Sequence, residues 1–248
     1  MFRQLLLILV SSNLIASCAI IKKKDLPLAQ QIVNKTLEKH GGNAYENLNV
    51  RFVFRARAYT IKNQNGLFEY TRSFTEQQQQ IKDIINNDGF QRYVNGQQTP
   101  VADTMALKYS NSINSVAYFA LLPYRLNDQA VVKTYKGITP IKGKNYHTLE
   151  VTFKQEGGGT DFDDVFYYWI DTNNYTIDYL AYLFHVDSGG VRFRVAYDPT
   201  EVQGVRFQQY INLKASKDTP LAQLPALYEA GQLEELSKIE LENLAANQ

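Results

Sequence analysis

Arg192 and Arg194 are two residues apart, so on a strand they share one face. His185 precedes them across the turn Asp187-Ser188-Gly189-Gly190, and Tyr197 follows. Guanidinium groups grip carboxylates and phosphates through paired N–H donors, so this grouping could hold an anionic headgroup. The same spacing suits an exterior sheet face whose arginines pair with Asp or Glu, and that exterior placement is the expectation. Other chemistry-bearing residues are sparse. His40 and His147 show no ligand spacing. Asp161, Asp163 and Asp164 follow a glycine loop, but calcium needs about six to eight oxygens, and the segment has neither the spacing nor the distal glutamate of a known loop. A solvated turn is expected there. Lys142-Gly143-Lys144 lacks the rest of a phosphate-binding glycine loop and reads as a hairpin turn. No Gly-x-Ser-x-Gly elbow occurs. No catalytic residue, metal ligand or cofactor is assigned.

Cys18 is the only cysteine, which excludes an internal disulfide. It closes the segment Ile15-Ala16-Ser17-Cys18, an aliphatic residue and two small ones before cysteine, similar to the lipobox of bacterial lipoproteins. Upstream lie one charge, Arg3, and the apolar run Leu5 to Val10. That run is far short of the roughly 20 residues that span a bilayer and suits a secretory signal. Residues 1–17 are therefore expected to be a lipoprotein signal peptide, with a lipid on Cys18 and a tether over 18–25. Such an anchor would place the protein in the bacterial cell envelope. No acidic residue directly follows Cys18, which favours the outer membrane, facing the periplasm.

Lys and Arg number 26 against 25 Asp and Glu. Loss of Arg3 with the signal would leave the mature chain formally neutral. Lys22-Lys23-Lys24, the only basic run, lies in the tether. No basic stripe is available to neutralise phosphates, so nucleic acid is not an expected partner.

The positioning elements follow from periodicity. Apolar Leu28, Ile32, Val33 and Leu37 mark one helix over 26–40, ended by Gly41-Gly42, with His40 capping its C-terminus. Alternation then predicts a strand from about 48 to 58, with Val50, Phe52, Phe54, Ala56 and Ala58 on one face. Strands follow at 67–74, 77–83 and 90–94. Val101 to Leu107 and Ile113 to Leu121 read as two helices inserted among the strands. Further strands are expected at 130–136, 138–141, 145–154, 165–170, 175–185, 191–197 and 205–213. The hairpin 165–184 is apolar on both faces, so it must be covered on both sides or face an apolar cavity. A short helix lies around Leu221 to Ala230, and 232–245 fits either helix or strand. The 17 Tyr and 13 Phe suit half-buried sheet surfaces.

Five stretches carry a resemblance: Glu38-Lys39-His40-Gly41-Gly42, Asn87-Asp88-Gly89-Phe90, Tyr109-Ser110-Asn111-Ser112, Glu156-Gly157-Gly158-Gly159 and Tyr168-Trp169-Ile170-Asp171. They resemble a family of uncharacterised Bacteroidetes lipoproteins, DUF6503, over nearly all of the mature chain. The resemblance implies a mainly β (α+β) fold like that of the lipoprotein-sorting carriers LolA and LolB. Such a fold is an open antiparallel half-barrel sheet wrapped around inserted helices, here a single domain over 26–248. It implies no catalytic residues.

The leading functional expectation is a tethered module holding an acyl chain or another apolar ligand inside the half-barrel. Phe52, Phe54, Val165, Tyr167, Trp169, Tyr179 and Ala181 are the expected lining, with His185, Arg192 and Arg194 as the possible polar end. An envelope interaction protein with a filled core is the alternative. A hydrolase using His185 and a nearby carboxylate is the third.

Overall fold

Alternating patterns dominate the chain, and strands dominate the computed structural model, which describes residues 26–157, 162–185 and 188–247. Helix α1 (Leu28–His40) leads into a first meander of β1 (Asn49–Phe54), β2 (Arg57–Gln64), β3 (Leu67–Glu76), β4 (Gln79–Asn86), β5 (Gly89–Val94) and β6 (Gln97–Gln98). Helix α2 (Asp103–Ala120) separates it from a second meander. That one comprises β7 (Val131–Ile141), β8 (Lys144–Phe153), β9 (Val165–Asp171), β10 (Ile177–Phe184), β11 (Gly190–Val202) and β12 (Val205–Ala215). Helix α3 (Leu224–Glu229) precedes β13 (Glu234–Ile239) and β14 (Glu242–Ala246).

The strands form two open sheets of seven, ordered β14-β1-β2-β3-β4-β5-β6 and β13-β12-β11-β10-β9-β8-β7. Every pairing is antiparallel. The tail joins them. β13 extends the second sheet beside β12, the chain passes through Glu240 and Leu241, and β14 then extends the first sheet beside β1. The expected antiparallel wall around helices is present, divided in two at this joint.

Several local expectations change. The strand predicted through residue 58 breaks after Phe54, where Arg55 and Ala56 take positive φ in a two-residue hairpin turn. Apolar alternation continues across the turn, so nothing in the pattern marks it. The two predicted helices between 101 and 121 are one helix, α2. Segments 130–136 and 138–141 are one strand, β7, with a bulge between Tyr135 and Gly137. The ambiguous tail is two strands. Lys142-Gly143 turns β7 into β8 as predicted.

The doubly apolar hairpin β9–β10 is covered on both faces. On the inner face Phe166, Tyr168, Ile170 and Leu180 pack with Ile32 and Val33 of α1 and with Leu122 and Leu126. On the outer face Tyr167, Trp169, Tyr179 and Ala181 pack under Leu221 and Leu224, the latter beginning α3. A third cluster sits inside the first sheet, where Phe52, Tyr59, Ile61 and Tyr70 meet Ile113 and Ala117 of α2. Gly41 after α1 has φ 154°, and a Cβ there would lie 3.2 Å from the Val205 backbone, so the helix end is docked against β12 through a residue that only glycine satisfies.

His40 is a buried neutral base and makes no charged cap. Its Nε2 accepts the Ile177 backbone N–H at 3.2 Å. Burial, with help from the Arg206 and Lys39 charges, lowers its pKa to about 3.

Candidate ligand-binding cavity

The two sheets touch where Val205 and Phe207 of β12 pack with Val50 and Phe52 of β1. Helix α2 enters between the sheets, and the remaining space is a cavity of about 1350 Å³. Phe54, Tyr59, Phe68 and Tyr70 line it from the first sheet, Tyr118 and Phe119 from α2, and Phe153, Phe166, Tyr182 and Phe184 from the second. These rings pack on one another. Phe119 lies 5.4 Å from Tyr182 and 6.2 Å from Phe166, and Phe166 stacks on Tyr182 at 5.4 Å.

Polar groups share the lining with these rings, five arginines, Asp128 and Asp164 among them. Tyr118 and Tyr168 share a hydrogen bond of 2.8 Å, and burial pushes both phenols above their ordinary range, so both stay neutral. Tyr210, raised chiefly by burial, receives a hydrogen bond from Gln208 Nε2 at 2.8 Å. Arg125 is closed off by Asp128 at 2.5 Å. Arg194 is different. It is 7% exposed, its Nη2 donates to the Tyr182 hydroxyl at 2.8 Å, and its guanidinium lies 3.9 Å from the centre of the Phe119 ring. Arg192 is half-buried over Phe184 at 4.9 Å and donates to its neighbour Val191's carbonyl.

The residues expected to line the cavity divide between places. Phe54, Arg192 and Arg194 do line it. Phe52 lies beside it in the packed core, stacked on Tyr59 at 5.6 Å. Val165, Tyr167, Trp169, Tyr179 and Ala181 face the other way, beneath α3. Side chains alternate along a strand, so their neighbours Phe166 and Tyr182 point inward instead. His185 is exposed beyond the end of β10 and does not line the cavity, and Tyr197 donates to Glu240. The exterior placement expected for Arg192 and Arg194 is therefore corrected: they belong to the inner face. Phe119, Tyr182, Gln208 and Asn212 were missed. The pairing of β10, β11 and β12, which sets Arg194 opposite Leu180 and Asn212, could have signalled the three strand residues only once the register was known, whereas Phe119 lies on α2.

The three histidines stay apart. His147 stacks on Tyr175, with its pKa lowered by burial and by Lys35. Among the described residues no cluster of His, Cys, Asp or Glu could hold a metal ion. Asp163 is exposed as expected, whereas Asp164 is buried at the cavity wall; Asp161 and Cys18 lie outside the described residues. Among the described residues no helix is long and apolar enough to cross a membrane.

Two antiparallel sheets folded around a central helix and an aromatic cavity define a LolA-like fold. A LolA superfamily protein from Nitrosomonas europaea superimposes with a TM-score of 0.50 at 12% identity, covering 90% of this chain and 95% of that one. A putative outer membrane lipoprotein-sorting protein domain from Vibrio parahaemolyticus gives 0.35 at 6% identity over 74% and 85%. The Mycobacterium tuberculosis lipoprotein LppX gives 0.29 at 10% identity over 64% and 90%. No curated protein matches in sequence. The chain belongs to a family of unknown function, DUF6503, whose profile matches residues 5–241.

Proposed function

We propose that this protein is a lipoprotein of the cell envelope that holds an acyl chain or another apolar ligand between its two sheets. The observation that carries this reading is the cavity of about 1350 Å³ with its aromatic wall. Small-molecule sites commonly measure about 300–1,000 Å³ and are apolar with a few placed polar groups. Each methylene moved from water into such a wall contributes about 0.8 kcal/mol, so a long chain is the ligand that gains most. The lining role falls to the inner-face residues Phe54, Phe119, Phe166, Tyr182 and Arg194. Tyr167, Trp169, Tyr179 and Ala181 hold α3 to the outer face. In this reading residues 1–17 are removed, and Cys18 carries the lipid that tethers the domain to the outer membrane on its periplasmic side.

The test is to purify the protein without denaturation and to analyse what organic solvent extracts from it. Lipid near one molecule per chain is the expected result. Lipid-free protein that also fails to bind fluorescent fatty acids would remove the proposal. The tether is checked separately: labelled palmitate should enter the wild-type protein and not the Cys18→Ser variant.

A further inference from the structure

We infer that the ligand's head is an oxyanion, a carboxylate or a phosphate, received by Arg194 at the second-sheet wall of the cavity. This rests on the cavity reading above and adds the charge and the position of the head.

Arginine stays protonated in proteins, so Arg194 is a permanent cation inside an aromatic enclosure. A buried cation is costly unless an anion and hydrogen bonds compensate it. Arg194 has little of either. Its Nε and Nη1 are buried without a hydrogen-bond partner, and among the described residues no carboxylate forms an ion pair with it. What holds it is directional: the Tyr182 hydroxyl takes Nη2, and Phe119 covers the guanidinium at 3.9 Å. Both contacts fix the plane while leaving Nε and Nη1 to donate.

The surroundings fit a head and not a chain. Asn212, opposite Arg194 in the β11–β12 pairing, has a buried Oδ1 without a partner, and so has Gln208 its Oε1. Those acceptors suit a hydroxyl or a protonated oxygen on the same head. Arg192, two residues along the inner face, adds a second positive charge. Asp128 and Asp164 share the cavity wall, yet among the described residues neither Arg192 nor Arg194 forms an ion pair with a carboxylate, so a negatively charged amphiphile would supply the missing partner.

The experiment uses matched ligands that differ only in charge, displacing the neutral dye N-phenyl-1-naphthylamine from the purified protein. One pair is palmitic acid and methyl palmitate; the other is lysophosphatidic acid and monopalmitoylglycerol. The charged member of at least one pair should bind ten-fold or more tightly, and the preferred pair identifies the oxyanion. Arg194→Met should abolish that preference while the neutral members bind as before, and Arg194→Lys should retain part of it. Circular dichroism of each variant establishes that it is folded, and Tyr182→Phe, which keeps the ring, should weaken the preference if Arg194→Met does not fold. Equal binding of charged and neutral members would overturn the inference and leave the cavity standing. A preference that survives in Arg194→Met would overturn it too, by placing the head elsewhere. Binding of no ligand at all would remove both the inference and the proposed function.

Discussion

Two buried arginines, one in each sheet, are treated in opposite ways. In the first sheet Arg72 is 2% exposed and meets Asp83, itself 0% exposed, at 2.6 Å. Arg92 reaches the same carboxylate at 2.7 Å from the adjacent strand. Arg72 Nη1 donates to Ser112 of α2, and Arg92 lies 3.8 Å over the ring of Tyr109. The network is complete, and it pins α2 to the first sheet. Arg194 in the second sheet has a ring and one hydroxyl but no anion. The difference separates a charge that builds the fold from a charge kept ready for something else. His40 gives a third solution, in which the buried base gives up its proton.

The sharpest way to break this contrast is to remove the shared carboxylate. Asp83→Ala leaves two buried cations facing each other, and urea unfolding should show a loss of about 3–5 kcal/mol. A loss below about 1 kcal/mol would mean that the first sheet does not depend on its network.

The next effect concerns His40. Its folded pKa lies near 3, below the ordinary 6.5, so the unfolded chain binds the extra proton first as the pH falls. The stability it contributes is therefore fully present above about pH 6.5 and is lost as the pH falls toward 3. The expected slope is about 1.4 kcal/mol per pH unit in that window. Comparing urea midpoints of wild type and His40→Gln between pH 7 and pH 4.5 checks it: the variant should lack this part of the slope.

Arg194→Met should leave the ligand-free stability unchanged or raise it by up to about 1 kcal/mol, because an apolar side chain replaces an uncompensated charge. A thermal melt that shows a loss above about 2 kcal/mol would make Arg194 a structural residue like Arg72. Smallest of all is Lys214→Ala, which removes the surface ion pair with Glu234 and should cost less than about 1 kcal/mol by the same melt.

Much of this architecture is legible in the chain. Continuous apolar patterning over 165–184 announces a hairpin that is covered on both sides or faces an apolar cavity, and the glycine-bearing turn at Lys142-Gly143 falls where it is expected. The choice of face is not legible. Phe166, Tyr167, Tyr168 and Trp169 are all large and aromatic, so a shift of one residue exchanges lining for outer core without altering the pattern. Arg55-Ala56 conceals a turn because neither residue is a usual turn former. β13 has one strand partner, and it reads as Glu-Glu-Leu-Ser-Lys-Ile with no buried residue to mark it. The arginine pair was visible as a pair, but only the register shows that the face it occupies is the inner one.

The joint at Glu240 and Leu241 also sets the order of assembly. β14 closes the first sheet against β1, pairing Val50 with Ala246 across 196 positions of sequence (246 − 50). β13 completes the second sheet from much nearer, pairing Lys214 with Glu234 across 20 positions (234 − 214). Neither rim can be completed before the ribosome has made these strands, and contacts as distant along the chain as that of β14 with β1 are among the slowest to form. A polypeptide with this topology keeps the first sheet's β1 edge unpaired until its last strand has been made.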